Sequence, residues 1–338
     1  MDPASLYQEA SAREIAQSGH YNRNVRLETD TGPVVVRMRS GAAETMDLTL
    51  WPEAELLEAI GPYVPSAPRL RHVGDDPAFQ IHDFVEGRRV DELFPDGKPL
   101  PESVLHDIEQ LYGRLLNVPF HALPAVPGDW PRDGDTTGFA ERLLRLVGDI
   151  RQRGDTAVQG LYGALGIPED PCGPLRERAT ALTARPFRLL HADLHRKNMI
   201  LTRQGPTVFL DWELALWGDP VFDLADHIHK MSYSSAERNA VQDAWARAAP
   251  AECRRGRRPD LDYYLACEAV KSAVVDTVRW GRRIASEEDG RARLATAREL
   301  ADKIAAARPH WTADASRPPT PPDVLAAVER WLPWSARP

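Results

Sequence analysis

The chain has 338 residues, of which 43% are hydrophobic and 27% charged, and its formal net charge is −8. That length suits about two domains or one large bilobal one, and the composition excludes global disorder. The acidic balance disfavours nucleic acid and anionic membranes as partners and suits cationic ligands.

No apolar run approaches the length that spans a bilayer. The opening MDPASLYQEASAREIAQSG lacks the basic start and apolar stretch of a secretory signal. Cys172, Cys253 and Cys267 are odd in number and without paired spacing. Reduced thiols in a cytoplasmic protein are expected, with neither a disulfide frame nor a thiolate metal site.

In chain order, residues 1–86 read as a small strand-rich unit. SGHYNRN is a polar turn with one glycine, Gly19, and it precedes two strand candidates, NVRLET and PVVVRMR, joined by the turn DTGP. A helix is expected over about 52–60, with Pro52 in its first turn and Gly61 just past its end. Leu56, Leu57 and Ile60 form its apolar face. Glu53 lies three, four and seven residues before them, so it shares that face. PAFQIHDFVEG reads as a strand ending at Gly87.

From about residue 104 the apolar spacing is mostly helical. In SVLHDIEQLYGRLL, Leu105, Ile108, Leu111, Tyr112 and Leu115 recur at helical intervals. The exception is 186–213, which holds short strands. CRRGRRPD, from Cys253 to Asp260, is expected to be a solvated loop between helices. DASRPPTPPD is a proline-rich linker. In VLAAVERWL, Val324, Leu325, Val328, Trp331 and Leu332 share one helical face that docks back onto the body, and Trp331 and Trp334 are candidates to wall a pocket.

The stretch LLHADLHRKNMIL, Leu189 to Leu201, carries the chemistry. An apolar strand runs into two histidines, an aspartate, two cations and an asparagine, then returns to an apolar strand. Asn198 immediately precedes MIL; the turn TRQGP, the strand TVFL and Asp211 follow. Two short strands joined by a tight turn form an antiparallel hairpin whose ends lie ~5 Å apart. Asn198 and Asp211 therefore belong side by side. An amide oxygen with a carboxylate is a hard-oxygen pair that suits Mg²⁺. Asp193, in the loop just before, is placed to accept a proton from a hydroxyl that attacks a phosphate. The bland alternative is a capped turn in which Asp193 and Asn198 satisfy loop amides.

HADLHRKN followed by FLDWELALWGDPVFDLA resembles the aminoglycoside phosphotransferase and choline kinase group, which shares the protein-kinase-like fold. The resemblance is specific over about 186–229. It implies an α+β bilobal fold, with an N-lobe over 1–86 built on a small antiparallel sheet and a mainly helical C-lobe over 87–338. It implies that Asp193 is the catalytic acid–base residue and that Asn198 and Asp211 hold Mg²⁺. His191 and His195 would support the loop, and Asp223 would hydrogen-bond the loop backbone from the following helix; Asp219 reads as a turn or cap residue. Protein kinases carry Phe and Gly after the metal aspartate, whereas Trp212 and Glu213 follow here, and no Ala-Pro-Glu segment comes after. That implies a small-molecule acceptor without an activation loop.

The resemblance also asks for a nucleotide site. Arg37 matches the phosphate-binding cation of the third strand, and Glu53 is its natural partner, since a carboxylate on a buried face is destabilising unless paired. The alternative for Glu53 is a favourable acid in a first helical turn. Ser18, Gly19, His20, Tyr21 and Asn22 are candidates to present N–H groups to phosphates. Backbone groups of Asp83, Phe84 and Val85 are candidates to pair with the purine of ATP or GTP.

The expected activity is transfer of the γ-phosphoryl group to a hydroxyl of an antibiotic, an aminoglycoside, nucleoside or similar, giving resistance or self-resistance. The alternatives are a metabolic kinase of a small alcohol, sugar or amino alcohol, a nucleotide-binding module without catalysis, and a metal-dependent hydrolase built on His191, His195, Asp211, His227 and His229. A cytoplasmic monomer or homodimer is expected.

Overall fold

The computed structural model describes residues 2–13, 17–18, 22–39, 49–203, 205–311 and 317–335, with backbone alone at 17–18 and 332–335. The chain divides into two compact units. One comprises Met1–Trp130 with Phe187–Arg254, the other Pro131–Pro186 with Arg255–Pro338. This division does not run at residue 87: the segments 87–130 and 187–254 group with the strand-rich N-terminal part.

The first unit opens with helix α1 (Pro3–Ala12), whose first N–H groups, at Ala4 and Ser5, are capped by the Asp2 carboxylate. A five-stranded antiparallel sheet follows: β1 (Gln17–Ser18), β2 (Asn22–Leu27), β3 (Val34–Arg39), β4 (Leu70–Asp75) and β5 (Ala78–Asp83), in the order β1-β2-β3-β5-β4. Val34, Val36 and Met38 alternate into a core with Val25, Leu27, Phe79 and Ile81, closed by Leu6 and Ala10 of α1. Strand side chains alternate, so Val35 and Arg37 point to the other face. Helix α2 (Glu53–Ile60) matches the expected one, with Pro52 and Gly61 at its caps.

Two elements went unforeseen for one reason. Strand β4 has no buried position, and α1 buries only Leu6 and Ala10, so neither carries an apolar rhythm. The strand expected to run to Gly87 stops at Asp83, and β6 (Gly87–Arg89) begins a different sheet. A Cβ on Gly87 would sit 2.5 Å from the Leu201 carbonyl oxygen, so glycine is required for this approach. Helix α3 (Val90–Leu93) is short. In α4 (Glu102–Leu115) the buried face starts at Val104, with Leu105 only half-buried.

The rest of this unit builds the site. Strands β7 (Arg188–Leu190) and β10 (Leu216–Gly218) pair antiparallel, and β8 (Met199–Thr202) lies between β6 and β9 (Val208–Phe209). Helices α8 (Pro220–Lys230) and α9 (Ser235–Ala248) follow.

The second unit is helical: α5 (Thr136–Arg153), α6 (Thr156–Ala164), α7 (Gly173–Ala179), α10 (Arg257–Ser286), α11 (Gly290–Ala307) and α12 (Pro321–Ser335). The basic run 253–260 is not a loop throughout. Its second half is the first turn of α10, entered through Gly256 at a left-handed φ of 61°. Trp331 is 5% exposed and packs on Gly281 of α10, where an added Cβ would stand 3.2 Å from its ring. It is thus a helix-packing residue; the Trp334 side chain lies outside the described residues. The three cysteines are buried. No described helix is long and apolar enough to cross a membrane.

Candidate active site

The loop between β7 and β8 holds the residues singled out in the sequence. Met199 pairs with Phe209 and Ile200 with Val208, and the Leu210 N–H donates to the Asn198 carbonyl at 2.8 Å, extending the ladder by one step. Asn198 and Asp211 therefore stand at adjacent ends of the hairpin. The Asn198 side chain donates through Nδ2 to the carbonyl and Oδ2 of Asp193, both at 3.0 Å, which directs its amide oxygen elsewhere. Amide, metal-type carboxylate and proton-accepting carboxylate are thus brought together.

The loop backbone is strained. Ala192 has φ 57° and Asp211 φ 66°, in the left-handed region that side chains disfavour. Asp223, in the first turn of α8, holds the strained turn by accepting from the N–H of His191 at 3.2 Å and of Ala192 at 2.7 Å. Burial pushes the Asp223 carboxyl up to about 7 even against those two donors. Asp219 caps the same helix by accepting from the Val221 N–H at 3.0 Å.

His191 is fully buried with its ring 4.5 Å from that of Trp212. Burial pulls its pKa down to about 4, so it is neutral at pH 7. Its Nδ1 and Nε2 have no hydrogen-bond partner among the described residues. His195 accepts from the Lys197 N–H through Nδ1 at 3.2 Å and brings Nε2 to 3.6 Å from Asp193 Oδ2. Lys230 meets the other oxygen, Asp193 Oδ1, at 2.7 Å. Burial acts to raise the Asp193 pKa, but Lys230 and His195 outweigh it and hold the carboxyl well below its usual range. Asp193 is an anion at neutral pH.

Arg37 reaches three carboxylates. Its Nε lies 3.4 Å from Glu53 Oε2, and its Nη2 lies 2.6 Å from Asp211 Oδ1 and 3.2 Å from Glu213 Oε2. Glu53 is buried, as its shared apolar face required, and also accepts from the Trp212 N–H at 3.0 Å. Burial pushes its pKa up to about 7, with Arg37 opposing. Burial and the nearby Asp211 also raise Glu213. Three carboxylates around one guanidinium leave local negative charge in excess. The oxygens of Asn198 and Asp211 stand beside it, so the donor set fits a hard divalent cation that takes few protein ligands.

The nucleotide-side candidates are less complete. Asn22 opens β2 and donates to Glu213 Oε2 at 2.9 Å. Ser18 is in β1, paired with Arg23; Gly19, His20 and Tyr21 lie outside the described residues. At the expected hinge, the Asp83 N–H donates to Arg69 O at 3.0 Å and the Phe84 N–H to Pro33 O at 3.1 Å. Of the three amides, only that of Val85 is left free of the sheet.

The histidine-based metal site has no counterpart. Among the described residues no three His, Cys, Asp or Glu side chains are grouped to hold a metal. His227 instead faces the Leu194 carbonyl through Nδ1 at 2.8 Å and the Tyr233 hydroxyl through Nε2 at 2.9 Å.

Three residues were missed. Arg196, 3% exposed, donates to the carbonyls of Phe94 at 2.7 Å, Lys98 at 2.9 Å and Met231 at 3.2 Å, tying the loop to distant segments. Glu213 joins the Arg37 cluster and Lys230 joins Asp193. A charged residue inside the motif was the one available signal for Arg196; Glu213 and Lys230 had none beyond their nearness to it.

A model of the phosphotransferase enzyme family matches residues 12–259. No curated protein matches the chain significantly. Among solved structures, choline kinase LicA from Streptococcus pneumoniae superposes with a TM-score of 0.56 at 13% identity, covering 90% of this chain and 99% of that one. Macrolide 2'-phosphotransferase MphH from Brachybacterium faecium gives 0.52 at 16%, covering 93% and 99%. Plasmodium vivax ethanolamine kinase gives 0.56 at 13%, covering 98% and 85%. Identities this low establish the fold alone, which is protein-kinase-like and α+β. With the family model spanning most of its length, the chain belongs to the phosphotransferase enzyme family.

Proposed function

We propose that this phosphotransferase moves the γ-phosphoryl group of ATP or GTP to a hydroxyl of a small molecule. The observation that carries the reading is the convergence of Asp193, Asn198 and Asp211 at one hairpin end, with the Arg37–Glu53 pair closing on Asp211. Asn198 and Asp211 are the residues to hold Mg²⁺, which when bound neutralises phosphate charge. Asp193 accepts the hydrogen bond of the attacking hydroxyl and takes its proton as the new P–O bond forms, while the bond from the γ-phosphorus to the β,γ-bridging oxygen breaks and the nucleoside diphosphate leaves. Arg37, oriented by Glu53, offers its fork to phosphate oxygens. The Val85 N–H is the amide available to the purine. An adenine nucleotide as donor draws support from the LicA structure in complex with AMP.

The acceptor we favour is a hydroxylated antibiotic, whose modification gives resistance, and a net charge of −8 supports a cationic one. A metabolic alcohol or amino alcohol is the second reading, supported by the choline and ethanolamine kinases among the structural neighbours. The protein is read as cytoplasmic, a monomer or homodimer.

A nucleotide-consumption screen, ATP against GTP, over hydroxylated antibiotics and metabolites separates the two. Antibiotic-dependent consumption supports the first reading, and consumption with choline-like or sugar acceptors the second. Asp193→Asn is expected to cut turnover by roughly 10²–10⁴-fold and leave nucleotide binding nearly unchanged. Turnover that survives this change removes Asp193 from its role.

A further inference from the structure

Helix α8 presents Asp223, Asp226, His227 and Lys230 at positions i, i+3, i+4 and i+7, which share one helical face. Three of them hold consecutive residues of the loop. Asp223 takes the N–H groups of His191 and Ala192, His227 faces the carbonyl of Leu194, and Lys230 Nζ donates to the Ala192 carbonyl at 3.2 Å and to Asp193 Oδ1 at 2.7 Å. The fourth, Asp226, is buried and holds Lys230 at 2.8 Å. An ammonium has three donors, and these three acceptors match them. Lys230 is therefore a fixed cation. Asp193 is gripped on both oxygens: Oδ1 by Lys230, and Oδ2 by Asn198 Nδ2 at 3.0 Å.

We propose that Lys230 is a positioning residue of the transfer step, fixing the Asp193 carboxylate from α8. The inference rests on the reading of Asp193 as proton acceptor. A carboxylate free to rotate presents its oxygens to the hydroxyl only part of the time. The competing view is that Lys230 only neutralises the buried Asp226.

The test compares Lys230→Met, Lys230→Arg and the double variant Asp226→Asn/Lys230→Met, which leaves no buried carboxylate unpaired if Lys230→Met alone fails to fold. The probe is MgATP turnover with the acceptor giving the highest rate in the screen, together with ATP affinity and thermal midpoint. The expected result is a fall in kcat of about 10–10²-fold in both methionine variants, with KM and affinity for ATP changed by less than about twofold. Lys230→Arg should recover most of kcat. In an Asp193→Asn background, Lys230→Met should lower the residual rate no further. A folded double variant with wild-type kcat, or a full further loss on the Asp193→Asn background, overturns the inference. Wild-type turnover in Asp193→Asn overturns instead the underlying reading of Asp193, a distinct outcome.

Discussion

Two groups of charged residues, one in each compact unit, are built from the same side-chain types and behave differently. In the second unit Arg185 and Asp260 form an ion pair whose side chains are 0% and 5% exposed. Asp260 also accepts from the Thr183 N–H at 3.1 Å, and the Arg185 N–H donates to Thr136 Oγ at 3.4 Å. The pair is closed off from solvent, and the Thr183 N–H adds a second donor to the Asp260 carboxylate. In the first unit Arg37 faces three carboxylates, and Asp211 keeps 32% of its side chain exposed. A closed, buried pair serves the fold. An open group with unmatched negative charge stores unfavourable electrostatics that a ligand can relieve, which is the usual condition of a working site.

The sharpest way to break this contrast is Arg185→Met. It strands Asp260 without its partner in the interior and should lower the unfolding free energy by about 3–5 kcal/mol, with turnover per folded molecule unchanged. Chemical denaturation with an active-site titration reads both quantities. Equal losses of turnover and stability would erase the distinction.

Arg37→Met should do the reverse, lowering turnover by about 10²-fold. Its effect on stability should depend on pH. Glu53, raised to about 7 in the fold, takes up a proton at low pH and escapes the burden of an unpaired buried charge. The stability loss should therefore be smaller at pH 5.5 than at pH 8. A pH-independent loss would show that Glu53 is not the group left exposed to the change.

The pH dependence of the wild-type protein offers a finer comparison. Burial lowers His82, His191 and His227 from 6.5 to about 4. Unfolding lets them take up protons, so their contribution to stability is lost as pH falls below 6.5. Burial raises Glu53 and Asp223 to about 7, so their contribution is present at low pH and is lost as pH rises through 7. Glu213 is raised as well, so three groups stand on each side and stability should change little with pH between about 4.5 and 6.5. All six belong to the first unit, while the second has one lowered histidine, His310. His227→Gln should tip the slope measured by urea denaturation toward falling stability with rising pH, and an unchanged slope would remove His227 from the balance. The smallest effect is expected from Arg247→Ala, which breaks an exposed pair with Glu109; no change should be resolved in the same measurement.

Much of the site could be read from local pattern. A hairpin of two short strands sets Asn198 beside Asp211 because antiparallel pairing dictates which residues are opposed. Glu53 was legible through its place on an apolar helical face. Arg37 was legible through the resemblance, and strand alternation accounts for its turning away from the core. Lys230 gave no such sign, because its meaning depends on α8 lying along the loop. Arg196 and Glu213 were hidden for the same reason: their partners come from chain segments far away in sequence.

The sequence by itself determined the chemical inventory and every adjacency that a turn, a helix face or a strand pair can impose, since those depend on neighbours a few positions apart. The tertiary structure alone decided that Asn22 and Arg37 meet Glu213 and Asp211, that Lys230 grips Asp193, and that His191 is neutral while Asp193 is charged. Those outcomes depend on burial and on which distant charges come within a few ångströms, and no local rhythm in the chain encodes either.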